Sequence, residues 1–281
     1  MSRLFVVSTP IGHLKDITLR ALEVLKQVAW IAAEDTRRTR KLLAHYGIET
    51  PLISFHEHNK ARRLPQLLRR LARGEAGALV SDAGTPLIND PGYELVRAAI
   101  EAGHTVVPVP GPSAVLAALV ASGLPAERFL YLGYLPRKPG ERRRALAEVA
   151  HLPYTLIFLE TPQRLVAALE DMAAVLGPER RVAVAHELTK VHESFFRGTL
   201  AEARDYYRQH PPRGEFTLVV EGAPRQTWTD EDVDRAIREG LARGERPKDL
   251  AKALAQATGR PRSDLYRRIL ALRTEGDNAP A

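Results

Sequence analysis

The sequence predicts an α/β protein whose first half is a parallel sheet. Three observations carry this expectation. Short apolar runs recur between Leu4 and Val109, each followed by a stretch with apolar residues at helical spacing, the pattern of repeated strand–helix units. Polar residues, prolines and glycines collect where those runs end, and in open α/β sheets ligands bind at the strands' carboxyl ends. After about Phe129, strands follow one another with few helices between them, which predicts a second, mixed α/β domain. The expected division is residues 1–123, 124–223 and a small helix-turn-helix-like domain over 228–275.

The first run, 4–7, leads into Ser8-Thr9-Pro10-Ile11-Gly12-His13, a tight loop, and then a helix over 16–28 with Ile17, Leu19, Leu22, Leu25 and Val28 on its apolar stripe. A second strand, 30–33, ends in Glu34-Asp35-Thr36-Arg37. The helix after it carries Arg37, Arg40 and Lys41 on one face. The third strand, 52–55, ends in His56-Glu57-His58-Asn59, and a basic helix then reaches Arg73. The fourth, 78–80, opens into Ser81-Asp82-Ala83-Gly84-Thr85-Pro86-Leu87-Ile88-Asn89-Asp90-Pro91-Gly92. Asp90 reads as the N-cap of a helix over 93–102, and Pro91 as its first residue. That loop is longer than capping requires, and its glycine permits close backbone approach, so a ligand loop is expected. The fifth strand, 105–109, closes on Pro110-Gly111-Pro112-Ser113-Ala114 at a helix N-terminus.

In the second half a strand over 129–135 meets a basic arm, Pro136-Arg137-Lys138-Pro139-Gly140-Glu141-Arg142-Arg143-Arg144. A strand over 155–159 ends at Glu160, a helix spans 162–176, and strands follow over 182–188, 193–198 and 216–221. Residues 224–227 read as a linker, followed by helices over 230–242, 247–257 and 262–272. The last helix is basic. Its spacing suits a helix-turn-helix, and a small helical appendage packing on the body or on another subunit fits equally well.

Composition excludes several classes. The 281 residues contain no cysteine, so there is no disulfide framework or thiol nucleophile. The N-terminus enters a strand at once, and the longest apolar stretch is broken by Pro108, Pro110, Gly111 and Pro112. A cytoplasmic protein without a membrane span is expected. The formal charge of +7 invites a polyanionic partner, although solvated surface charge explains it as simply. His56-x-His58 has loose spacing and no third ligand, and no metal is expected. Glycine-rich dinucleotide, Walker and serine-elbow motifs are absent.

What stands out is a set of motifs in fixed order: Ser8-Thr-Pro-Ile-Gly12, Glu34-Asp-Thr-Arg37, Ser81-Asp-Ala-Gly-Thr-Pro86 and Pro110-Gly-Pro-Ser-Ala114. Further on come Gly133-x-x-Pro136-x-Lys138, Glu160-x-x-x-Arg164, Glu187-Leu-Thr-Lys190 and Gly214-Glu-Phe-Thr-Leu-Val-Val-Glu-Gly222. By these the chain resembles the tetrapyrrole methylase superfamily of S-adenosylmethionine-dependent methyltransferases, over nearly its whole length. Within the superfamily it is most similar to the branch that methylates a cytidine 2′-hydroxyl in small-subunit (16S) ribosomal RNA. Ser8 stands where the family usually has Gly, and His13 and His186 where Asn and Arg are expected.

The resemblance implies a two-domain fold with S-adenosylmethionine in the cleft, and a homodimer. It places Asp82, Ala83, Gly84 and Thr85 on the methionine and ribose parts of the cofactor. Ser113 and Ala114 fall in a second cofactor loop, Pro10 in the first-strand loop, and Leu159 and Val220 against the adenine. The hydroxyl's proton needs an acceptor, and Glu34, Asp35, Glu187 and Lys190 are the groups to test. Lys190 qualifies only with its pKa depressed. A structural role competes for each: Glu34 and Asp35 as caps, Glu187 with Lys190 as an ion pair. Arg37, Arg38, Arg40 and Lys41, with Arg137, Lys138, Arg142, Arg143 and Arg144, are candidates for RNA phosphates. Two other readings remain: a porphyrinoid C-methyltransferase, and a ligand-sensing regulator that reads DNA with its helical tail.

Overall fold

Five apolar runs pair as a parallel sheet: β1 (Arg3–Val7), β2 (Trp30–Ala33), β3 (Leu52–Ser54), β4 (Gly77–Val80) and β5 (Thr105–Val109), in the order β3-β2-β4-β1-β5. The computed structural model describes residues 2–224 and 228–277, so 225–227 of the expected linker lie outside the described residues. Every residue of β2 and β4 is buried, as a sheet covered on both faces demands. Helices α1 (Leu19–Gln27) and α2 (Thr36–His45) pack Leu25, Leu42 and Leu43 with Ile31 and Val80. On the other face, α3 (Lys60–Ala72) and α4 (Tyr93–Glu101) pack Leu67, Leu71 and Leu95 with Trp30 and Leu79. The chain crosses from β1 past β4 to β2, and later from β4 past β1 to β5. The loops leaving β1 and β4 therefore diverge from adjacent strand ends, and such a switch point opens a crevice.

Two expectations need correction here. The helix expected over 16–28 starts at Leu19, capped by the Thr18 side chain, after a separate 3₁₀ turn at Leu14–Asp16. Asp90 is not an N-cap. Gly92 holds that position with φ 140° and no side-chain cap, because left-handed residues at Leu87 and Asn89 turn the chain before it reaches the helix.

The second sheet runs β6 (Phe129–Tyr134), β7 (Thr155–Glu160), β10 (Phe216–Val220), β8 (Arg181–His186), β9 (Ser194–Thr199) in spatial order. Only β6 and β7 pair in parallel, so the sheet is mixed, as expected. Helices α6 (Pro139–Val149), α7 (Pro162–Leu176) and α8 (Leu200–Gln209) cover one face with Leu146, Leu165 and Leu200. Helix α5 (Ala114–Ser122) covers the other, with Val115, Ala118 and Leu119 on Ile157, Ala183 and Val219.

Both sheets belong to one compact unit, Met1–Ala223, and Pro224–Ala281 forms a second. In the latter, α9 (Asp230–Ala242), α10 (Pro247–Thr258) and α11 (Arg262–Asp277) enclose their own core of Val233, Ile237, Leu250, Leu254, Leu265 and Ile269. Among the described residues no helix is long and apolar enough to cross a membrane.

Candidate active site

The crevice is built by main chain. Thr9 and Gly84 exchange both backbone hydrogen bonds at 2.9 Å, joining the loops that leave β1 and β4. Side chains reinforce the joint: Thr9 Oγ1 donates to the Ser81 carbonyl at 3.1 Å, and Ser81 Oγ to the Gly84 carbonyl at 3.0 Å. Thr85 Oγ1 accepts from Ser8 Oγ at 3.2 Å and donates to the Pro112 carbonyl at 3.3 Å, which draws in the loop after β5. Ser113 follows that carbonyl and caps α5, its hydroxyl accepting from the Leu116 N–H, with Ala114 next in the helix. Pro10, Asp82 and Ala83 line a cleft of about 240 Å³. The expected cofactor residues of the first sheet are thus brought together.

Their electrostatics favour a cation. Asp82 Oδ1 accepts the Asp35 N–H at 2.9 Å, and Arg38 Nε lies 3.8 Å from Oδ2. Burial raises the Glu34 carboxyl, and the Asp82 charge adds to it. Burial lifts Asp90 to about 6, helped by the charges of Glu34 and Asp82. Carboxylates that repel one another at partly buried positions are relieved by positive charge. S-adenosylmethionine carries that charge on its sulfonium and ammonium groups, so these residues fit it; Asp82, Pro10 and Ala83 are placed to hold it.

The second sheet reaches the same cleft through Lys190 and Glu215. His13 N–H donates to Thr189 Oγ1 at 3.0 Å, and a Cβ on Gly12 would stand 2.6 Å from Lys190 Cγ, so only glycine permits this approach. Burial alone would pull the Lys190 ammonium down. Its hydrogen bonds to Glu187 (2.8 Å) and Glu215 (2.9 Å) outweigh that and leave it raised. Lys190 therefore stays protonated, against the condition set for it as a base. Glu187 is lowered: its bonds with Lys190 and the Glu215 N–H outweigh the upward effect of burial. Asp35 caps α2, and a bidentate pairing with Arg37 (3.0 and 2.8 Å) holds its carboxyl well below the usual range. Of the expected proton acceptors, only Glu34 is poised to accept one.

The remaining candidates divide. Leu159 is half-buried and, by strand alternation, shares the inner face of β7 with Ile157. Val220 does not: it is fully buried in the helix-covered core on the opposite face, with no surface for an adenine. Arg37, Arg38, Arg40 and Lys41 are exposed, Arg38 and Lys41 also lining the cleft, and Arg137, Lys138 and Arg144 are exposed on the second half of the chain. Arg142 is a correction. Its side chain is 5% exposed and pairs with Asp171, itself 4% exposed, so it cannot meet RNA. Arg143 also donates to Asp171, at 2.6 Å, from a more exposed position. His186 bonds the Arg213 carbonyl and stacks on Phe216. The histidine pair at 56 and 58 gathers no metal set among the described residues.

The sequence did not single out Asp90 as a partly buried carboxylate sharing a pocket with Glu34. The signal lay in Asn89, a residue type that tolerates left-handed backbone and so moves the helix start past Asp90.

The sequence model described as Tetrapyrrole (Corrin/Porphyrin) Methylases matches residues 3–204. The chain belongs to this family. A second, described as the RsmI C-terminal HTH domain, matches 229–273. Curated relatives named Ribosomal RNA small subunit methyltransferase I include that of Synechocystis sp., 46% identical over 279 residues, covering 98% of this chain and 100% of the relative. That of Escherichia coli O157:H7 is 48% identical over 271 residues, covering 95% and 94%. Among solved structures, a uroporphyrin-III C-methyltransferase of Thermus thermophilus complexed with S-adenyl homocysteine shares the fold. Its TM-score is 0.56 at 21% identity, over 78% of this chain and 97% of that one.

Proposed function

We propose that the protein transfers the methyl group of S-adenosylmethionine to the 2′-hydroxyl of a cytidine in small-subunit ribosomal RNA. The observation that carries this is the pairing of opposite charges at one cleft: the Asp82 carboxylate lines it, and so do the Arg38 and Lys41 cations. The first suits a sulfonium donor and the second a polyanionic acceptor. The named activity of relatives near half identical over almost the whole chain supports the same acceptor and not a porphyrinoid.

When bound, the cofactor supplies a methyl group already activated by its sulfonium. The protein's part is to hold donor and ribose in line, exclude water and receive one proton. Asp82 orients the cofactor, with Pro10, Ala83, Gly84, Thr85, Ser113 and Ala114 shaping its loops and Leu159 facing it from the second sheet. Arg37, Arg38, Arg40, Lys41, Arg137, Lys138, Arg143 and Arg144 hold the RNA backbone. The three working parts are 1–123, 124–223 and 228–275. The enzyme acts in the cytoplasm as a homodimer; Leu116 and Val120 of α5, 51% and 77% exposed, offer an apolar face for a second copy.

The test is transfer of labelled methyl from S-adenosylmethionine to small ribosomal subunits that lack the modification, with the nucleotide mapped by mass spectrometry. Label is expected on a cytidine ribose, and Asp82→Ala should abolish its appearance. Label on a porphyrinoid acceptor with none on RNA overturns the reading.

A further inference from the structure

The loop that carries Asp82 has a second carboxylate eight residues on, beside the crevice, within reach of the Ser81 hydroxyl and of the Asp82 charge. Asp90 lines a pocket of about 380 Å³ together with Glu34, Asn89 and, at its rim, Lys60 and Glu94. The loop is locked there by the second sheet. Asn89 Oδ1 accepts from the Tyr131 hydroxyl at 2.8 Å, and its amide lies so close to Gly133 that a Cβ there would come within 2.8 Å. Asn89 itself is left-handed, at φ 63°. Tying Asn89 to β6 fixes the main chain next to Asp90, and proton transfer requires a positioned acceptor.

We propose that Asp90 accepts the proton of the attacking ribose 2′-hydroxyl, in the pocket it shares with Glu34. This rests on the reading of the chain as a ribose methyltransferase. The ribose oxygen bonds to the methyl carbon, the methyl–sulfur bond breaks with its electron pair passing to sulfur, and the hydroxyl proton passes to an Asp90 oxygen. Solvent then takes the proton before the next turnover.

Two of the other acidic groups near the crevice are committed elsewhere. Asp35 is tied to Arg37 and Glu187 to Lys190. Glu34 stays in the pocket, and its charge is one of those that make Asp90 hold a proton more readily. The groups around Asp90 come from every neighbouring element. They are Asp82 and the Ser81 hydroxyl on its own loop, Glu34 after β2, and Tyr131 and Tyr134 on β6. Lys60, at the rim, is engaged by Glu57 and Glu94, and among the described residues no cation pairs with Asp90. Ser81 draws the Asp90 value down, but burial and the two carboxylates prevail and set it at about 6. That lies close to working pH, where a general base is most effective.

Single-turnover methyl transfer to small ribosomal subunits, with saturating labelled cofactor and the full chain, tests this across pH 5 to 9. The wild-type rate should rise through a midpoint near 6. Asp90→Asn should lower the plateau by about a hundredfold and abolish that rise, with S-adenosylhomocysteine affinity by calorimetry kept within about threefold. Glu34→Gln should keep the rise but move its midpoint to lower pH, since one of the charges opposing ionisation is gone. The proposal is overturned by an Asp90→Asn enzyme within about tenfold of wild type, by one that keeps the midpoint, or by one that no longer binds S-adenosylhomocysteine. A wild-type enzyme that leaves the subunits unlabelled overturns the underlying function instead.

Discussion

Among single residues, Arg142 and Arg144 show how two members of one basic run do different work. Arg142 donates through Nε to Asp171 at 2.6 Å, and both side chains are buried. Removing one partner of such a pair leaves a charge stranded away from water, so Asp171→Ala should cost about 3–5 kcal/mol in urea denaturation. Arg144→Ala, at an exposed position, should change stability by less than about 0.5 kcal/mol and instead weaken RNA binding at low salt. The sequence held part of this distinction. Arg142, Leu146 and Val149 recur at helical spacing and all three are buried, so position 142 falls on the apolar face of α6. Its partner was not legible, since Asp171 lies on another helix and only the packed fold brings them together. The same limit hid Asp90: its neighbours are Glu34 after β2 and Tyr131 and Tyr134 on β6, which only the packed fold brings together.

At the level of elements, the first sheet was legible because a parallel strand covered on both faces reads as an unbroken apolar run. The loops that meet at the crevice were legible too, from glycines and prolines at strand ends. Helix α8 was not foreseen, though Thr199-x-x-Glu202 forms a capping box that announces it. The bulge in β6 escaped for a physical reason: nothing in a local pattern shows that a register shift between Tyr131 and Gly133 turns Gly133 toward Asn89. Gly133 has φ 63°, so an alanine there carries backbone strain of about 1–2 kcal/mol and also collides with the Asn89 amide. Gly133→Ala should therefore destabilise the protein and slow methyl transfer by displacing the loop that holds Asp90. In an Asn89→Ala background the same change should cost less, because the collision is gone and only the strain remains. A double-mutant cycle from equilibrium denaturation measures this, and strict additivity would show that the two positions do not press on one another.

For the whole molecule, the question is what the C-terminal helices add. Their core, from Val233 to Ile269, shares no residue with the core clusters of the two sheets. Several of their arginines are spent internally, among them Arg268 on Asp234 and Asp230, Arg260 on Asp230 and Arg267 on Asp264. A chain ending at Ala223 keeps every residue of both sheets and of the crevice, so it should fold and bind S-adenosylhomocysteine with affinity within about threefold of the full chain. Its affinity for small-subunit RNA should fall, because the module matched over 229–273 is lost. Salt dependence then tells what kind of contact was lost. Each phosphate contact removed flattens the slope of log affinity against log salt by about 0.7–0.9, so a helix-turn-helix on the RNA backbone should flatten it by at least one such step. A truncated chain with weaker binding but an unchanged slope would mean that the helices act through shape or subunit pairing and touch no phosphate.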